Sequence, residues 1–378
     1  MKRRIKQCSA LVAAGSIAAF LLAACGGSDN NNNSAPHLIT NIAVPNSASP
    51  AFSFDISYVD QGKYYLADRN NKAVDVVDTS TNKLIAQIPG GFAGNGATTT
   101  DSGPDGLIGL PGTSTLYVGD VNGVKILNTS TQALSKSIPI ATTGNRTDEG
   151  CFDPDDHLVA VANPADTPPF LTFINTDTQA IVSKLNFNGS SGLEACEYDA
   201  STKSFLINND GTAANPDGEL DVIPASSVTA GQPAVTKAFP LGACAPVGLA
   251  LGPNQDVMVG CDPGAGDPLI TLILDRTNGA VLAKLPFGGV DQIAYDKTSN
   301  RYFLPARHWV TSGTAAASGF TPAMAVVDGT SRSIVAQVAV GTGAHSVAID
   351  GPSGQVYVPF QAGGAAFPNG GISVFTVR

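Results

Sequence analysis

From residue 38 onward the chain alternates short apolar runs with turn-forming Gly, Pro, Asn and Asp. The stretch FDISYVDQGKYYLADRNNKAVDVVDTSTNKLIAQIP (54–89) reads as four strands, with an Asp-Thr-x-Thr turn before the last. LIGLPGTSTLYVGDVNGVKILNTSTQALSKSIP (107–139) repeats the unit. Five further strand pairs, CFDPDDHLVAVA, CEYDASTKSFLIN, LALGPNQDVMVG, IAYDKTSNRYFLP and VAIDGPSGQVYVP, open units near Cys151, Ala195, Gly248, Gln292 and Ser346. An apolar residue closes each first strand: Tyr58, Leu110, Phe152, Tyr198, Leu251, Tyr295 and Ile349, spaced 52, 42, 46, 53, 44 and 54 residues apart. Four short strands in each 40–55 residues is the signature of propeller blades. No amphipathic helical stretch longer than the N-terminal segment interrupts it.

Seven units must close into a ring, because an open array would leave sheet edges unpaired. The last unit has three strands of its own and ends in GGISVFTVR (370–378), while LITNIAVP (38–45) precedes the first unit as a lone strand. The expectation is an all-β, seven-bladed β-propeller over 38–378, with the N-terminal strand closing the last blade. The strand-turn-strand units, with NKAVDVVDTSTNKLIAQIP and GQVYVPF, resemble the YVTN/YncE-like family of seven-bladed propellers. The eponymous motif survives only as YLAD, YVGD, FLIN and YVPF. The resemblance implies the fold and an envelope setting, and leaves activity open, since propellers host many functions.

Residues 1–24 read as an export signal rather than structure. Lys2, Arg3, Arg4 and Lys6 precede an apolar stretch from Ala10 to Ala24 that is too short to span a bilayer comfortably. It ends in Leu22-Ala23-Ala24-Cys25, which resembles a bacterial lipobox; Cys25 would carry the lipid and anchor the chain to the membrane. Residues 25–37, with GGSDNNNNSAP, form a polar tether with nothing to bury. Gly26 rather than Asp after the Cys resembles an outer-membrane sorting signal, so the expected address is the outer membrane facing the periplasm.

Composition narrows the function classes. The 378 residues are 14% charged, low for a soluble helical protein, and no second long apolar run exists to make a polytopic membrane protein. The net charge is −10; removing residues 1–24 takes away four bases and no acids and leaves −14. That argues against nucleic acid as a partner. Of six Cys, Cys151, Cys196, Cys244 and Cys261 remain once Cys8 and Cys25 are set aside, and none has zinc-type spacing. Cys244 and Cys261 flank one hairpin, and Cys151 and Cys196 lie on neighbouring inner strands. Two disulfides are expected in an oxidising compartment; the alternative is free buried thiols.

The repeat also locates a candidate site. The residues four before each aligned apolar position are Phe54, Gly106, Asp148, Glu194, Val247, Asp291 and His345. Residues just past the second strands include Asp68, Arg69, Asp120, Asn208, Asp262, Arg307, His308 and Trp309. Both sets belong at one mouth of the central channel. Crowded carboxylates need a cation, a basic partner or raised pKa values. Glu194, Asp291, Asp105 and Glu149 are therefore candidate ligands for Ca²⁺ or Mg²⁺. The alternative is that these acids are solvated turn residues. His345 and His308 are candidate general bases or acids, or they hydrogen-bond neighbouring blades. Asp68, Arg69, Asp120, Asn208, Asp262, Arg307 and Trp309 are candidate ligand-binding residues. The loops GGFAGNGATTTDSG (90–103) and VTSGTAAASGFTP (310–322) flank the mouth as candidate lids. The leading expectation is a binding or scaffold propeller for a small molecule, glycan or protein. The alternative is a metal-assisted hydrolase or lyase, which the architecture resembles in propeller lactonases and streptogramin lyases.

Overall fold

The computed structural model describes residues 35–48, 52–363 and 367–377. The expected signal, Cys25 and most of the expected tether lie outside the described residues. The described chain forms seven four-stranded antiparallel sheets arranged as blades. The inner strands are Phe54–Asp60, Leu107–Gly109, Gly150–Asp153, Leu193–Asp199, Pro246–Leu251, Ala294–Asp296 and Ala348–Asp350. The second strands are Lys63–Asp68, Thr115–Asp120, Leu158–Asn163, Ser204–Asn209, Asp256–Cys261, Arg301–Ala306 and Gln355–Phe360. Each inner strand contacts the next, and that of blade 7 contacts that of blade 1, closing the ring. Leu38–Ala43 pairs with Gly371–Thr376, with Ile42 opposite Ile372, and supplies the outer strand of blade 7 as expected.

Seven apolar clusters occupy the seven seams between blades. Side chains alternate faces along a strand. Tyr64 and Leu66 of one second strand therefore pack toward blade 7, while Tyr65 and Ala67 pack toward blade 2. A strand buried on both faces must be apolar throughout, which is why YYLA, LYVG and FLIN read as unbroken runs. Outer strands have one wet face: Ser333–Ala339 alternates exposed and half-buried positions. Lys83, Lys136, Lys184, Lys237 and Lys284 stand on these outer strands and protect them against edge pairing.

The recurring Asp-Thr turn has a local cause. Asp78 Oδ1 accepts the amides of Ser80 and Thr81. Asn128, Asn175, Asp275 and Asp328 accept the equivalent amides before four of the other outer strands. One element the periodicity does not show is a single-turn helix, Ala225–Thr229, too short to display a helical repeat; Ala225 and Val228 pack into the seam of blades 3 and 4.

Both disulfides form. Cys151–Cys196 ties the inner strands of blades 3 and 4 across 45 residues, and Cys244–Cys261 closes the entry hairpin of blade 5. Among the described residues no helix is long and apolar enough to cross a membrane.

Candidate functional site

At one end of the ring the channel opens into a cavity of about 980 Å³. Six of the seven ring positions line it: Phe54, Asp148, Glu194, Val247, Asp291 and His345. The seventh, Gly106, lines the narrower channel of about 130 Å³ beneath, and Glu149 reaches both spaces. Thr99 from the loop after blade 1, and Gly319 and Phe320 from the insertion in blade 6, complete the mouth.

One side of the mouth is an ionic cluster spanning blades 7, 1, 2 and 3. Arg69 is ion-paired to Asp55 and Asp105. Arg146 lies 2.5 Å from Asp148 Oδ2, and 3.6 and 3.8 Å from Asp55 and Asp105. Burial alone would push Asp55 up, but Arg69, His345 and Arg146 reverse that and hold it well below the usual carboxylate range. Burial pushes Asp105 well above that range and Asp148 up to about 6. His345 stacks on Phe54 at 4.6 Å. Its Nδ1 donates to the Gly343 carbonyl at 2.6 Å, and its Nε2 stands 3.6 Å from Asp55.

The other side belongs to blades 5 and 6. Arg307 is held by Asp291 at 2.8 Å, and His308 Nδ1 lies 2.7 Å from Asp262 Oδ2. The His308 ring leans on Phe320 with centroids 4.6 Å apart. Between the two sides stand Glu149, Glu194 and Asp210. None of these three has a cationic side chain in ion-pair contact among the described residues; Glu149 accepts a hydrogen bond from Gln292 at 2.5 Å. Burial, then neighbouring acids, pushes Glu149 and Glu194 well above the usual range, and burial raises Asp210 to about 6.

Of the residues expected at the site, Arg69, Glu149, Glu194, Asp262, Asp291, Arg307, His308 and His345 line the mouth. Asp105 is fully buried behind it, against Arg69. Asp68, Asp120 and Asn208 turn away from it. Asp68 accepts the Asn71 amide, Asp120 accepts the Ala93 amide, and Asn208 donates to the carbonyls of Val247 and Gly248 in the next blade. Trp309 packs on Phe287 at 4.6 Å, and its carbonyl accepts the Thr321 amide, bracing the insertion. For Asp68 the reason is strand alternation: the last residue of that second strand points into the blade, and the next, Arg69, points into the mouth. Arg69, Asp210, Asp262, Arg307 and Gln361 all occupy that following position.

Asp55 and Arg146 have no counterpart in the sequence reading. The ring position of blade 1 is Phe54, but the ladder shifts between Phe54 and Ser57, and that irregularity brings Asp55 to the mouth. Arg146 lies in the loop between blades 2 and 3; its signal is a lone base beside Asp148 and Glu149.

The donor set tests the divalent-ion expectation. Among the described residues one acidic trio converges, Asp55, Asp105 and Asp148, with ligand atoms within 4.8 Å. Two guanidiniums already bridge that trio, so an ion there would meet Arg69 and Arg146 at close range. Glu194, Asp291, Asp105 and Glu149 do not form such a group. The four acids expected to hold an ion therefore do not converge as one group, and the trio that does converge is bridged by arginines. What they define is a seven-bladed propeller with a polar, partly ion-paired mouth. No protein-family model matches the chain, and no curated protein is significantly similar to it.

Proposed function

We propose that this protein is an envelope-anchored lipoprotein whose propeller binds a cation-bearing small molecule or peptide group in its mouth. The observation that carries the binding reading is a charge imbalance inside a large cavity. Every guanidinium in the mouth has a carboxylate partner, whereas Glu149, Glu194 and Asp210 face the space without one. A ligand ammonium or guanidinium would supply the missing charge. The anchoring reading rests on the lipobox-like Leu22-Ala23-Ala24-Cys25 and agrees with two disulfides in the fold. The divalent-metal hydrolase or lyase reading has less support, because arginines occupy the one acidic trio that converges among the described residues.

The test is calorimetric titration of the purified protein with spermidine, Ca²⁺ and succinate. Spermidine is expected to bind, succinate is not, and Glu194→Gln/Asp210→Asn should weaken spermidine by about tenfold or more. Succinate binding, or a variant as tight as the parent, would contradict the reading. Chelation by EDTA should leave the melting temperature unchanged. For the anchor, Cys25→Ser should abolish incorporation of labelled palmitate; unchanged labelling would refute lipidation at Cys25.

A further inference from the structure

The blade 5–blade 6 side of the mouth carries an oriented histidine that ligand binding does not require. Asp262 Oδ2 lies 2.7 Å from His308 Nδ1. A carboxylate can only accept, so the Nδ1 position carries the proton and the neutral ring presents a lone pair at Nε2. Nε2 has no hydrogen-bond partner among the described residues, and the side chain, 38% exposed, lines the cavity. Both halves of the pair are held from behind. Cys261, next to Asp262, is locked to Cys244. Gly289 donates to the Cys261 carbonyl at 2.8 Å and accepts the His308 amide at 3.4 Å, so one residue sets the spacing of the two segments. Its φ of +74° and its closeness to the His308 backbone, 2.7 Å from where a Cβ would stand, leave room only for glycine. Phe320 covers one edge of the ring. Arg307, the preceding residue, is fixed by Asp291 while about a third of its side chain stays open to the cavity.

We infer that His308, positioned by Asp262, is a general base for hydrolysis of small carboxylic esters in the mouth, with Arg307 facing the developing oxyanion. Nε2 takes a proton from water as the water oxygen bonds to the ester carbonyl carbon. The carbonyl electron pair moves onto oxygen, toward the guanidinium. When the oxyanion collapses, the bond to the alcohol oxygen breaks and that oxygen takes the proton back from Nε2. Ester and water become acid and alcohol, and the ring returns to its neutral form. His308 is the catalytic residue and Asp262 a positioning residue, in the division of roles that any base-and-orienter pair requires. The inference does not depend on the cation-bearing ligand proposed above, and its probe is uncharged.

The experiment is hydrolysis of 4-nitrophenyl acetate by the purified protein, against free imidazole at equal concentration. The protein should be at least about 100-fold faster and saturable. His308→Gln should lose most of that advantage. Asp262→Asn should lower kcat by about tenfold or more with KM unchanged, and Asp262→Glu should restore part of it. His157→Gln, in an exposed hairpin turn, should behave as the parent. A parent protein no faster than imidazole overturns the inference without recourse to any variant. So does a folded His308→Gln protein with the parent rate, or an Asp262→Asn protein altered only in KM.

Discussion

A single aspartate shows how the blades store acid. Asp221 sits in the third strand of blade 4 at 1% exposure; Asn209 donates to its Oδ2 at 2.9 Å, and its Oδ1 has no partner. Burial raises its pKa to about 7 despite the Asn209 bond. The folded chain then holds a proton that the unfolded chain releases near pH 4. Folding stability therefore falls as pH rises from about 4 through about 7, and is flat above. Glu197, raised by burial to about 7, and Asp148 and Asp210, raised to about 6, add losses of the same sign. The melting temperature should be higher at pH 5 than at pH 8. Asp221→Asn should stabilise the protein at pH 8 by roughly 2–4 kcal/mol and leave it nearly unchanged at pH 4. Equal effects at both pH values would contradict this. Close packing sets a second residue-scale limit. A Cβ on Gly248 would stand 1.7 Å from the Asp291 carbonyl oxygen. Gly248→Ala should cost roughly 1–3 kcal/mol in chemical denaturation and displace the partner of Arg307.

At the scale of strands and hairpins, stability lies in the seams. The Cys151–Cys196 bond joins blades 3 and 4 beside the channel, closing a loop of 45 residues. By the chain-entropy argument such a crosslink is worth about 4 kcal/mol. Cys151→Ser/Cys196→Ser should lower the melting temperature by several degrees, and a melt identical to the parent's would deny the bond a stabilising role. The N-terminal strand is the other closure. Deleting Leu38–Ala43 would leave Gly371–Thr376 as an unpaired edge, and the expected outcome is aggregation rather than a trimmed monomer. This level of organisation was readable in the sequence. The repeat placed every inner strand and the closing strand, because two-sided burial and turn chemistry both leave local marks. The single-turn helix at Ala225–Thr229 left none.

The whole molecule is a ring whose chemistry collects where seven strand starts and seven strand ends converge. The ring positions emerged from the repeat, since a residue counted back from an aligned anchor stays on the same end of the fold. The second-strand ends came out less well. Asp68 is followed at once by Arg69, which faces the mouth, and a one-residue offset reverses a side chain's direction. Partnerships were beyond reach: Arg69 meets Asp105, Arg146 meets Asp55, and Asp262 meets His308 across seams that sequence order does not reveal. Those partnerships decide the electrostatics. They pair Asp105 and Asp291, two of the four acids expected to hold a metal, and leave the other two, Glu149 and Glu194, together with Asp210, without an ion-pair partner.

That imbalance is the central claim, and calorimetry of spermidine binding in buffers of different ionisation enthalpy tests it most directly. Glu149, Glu194 and Asp210 are flanked by Asp148, Asp291, Arg146 and Arg307; burial and neighbouring acids push Glu149 and Glu194 well above the usual carboxylate range, and burial raises Asp210 to about 6. A bound cation favours the carboxylates. The account predicts proton release near pH 6 and tighter binding at pH 8 than at pH 5.5, both lost in Glu194→Gln/Asp210→Asn. Binding with no proton release, equally strong at both pH values and indifferent to the double substitution, would contradict it.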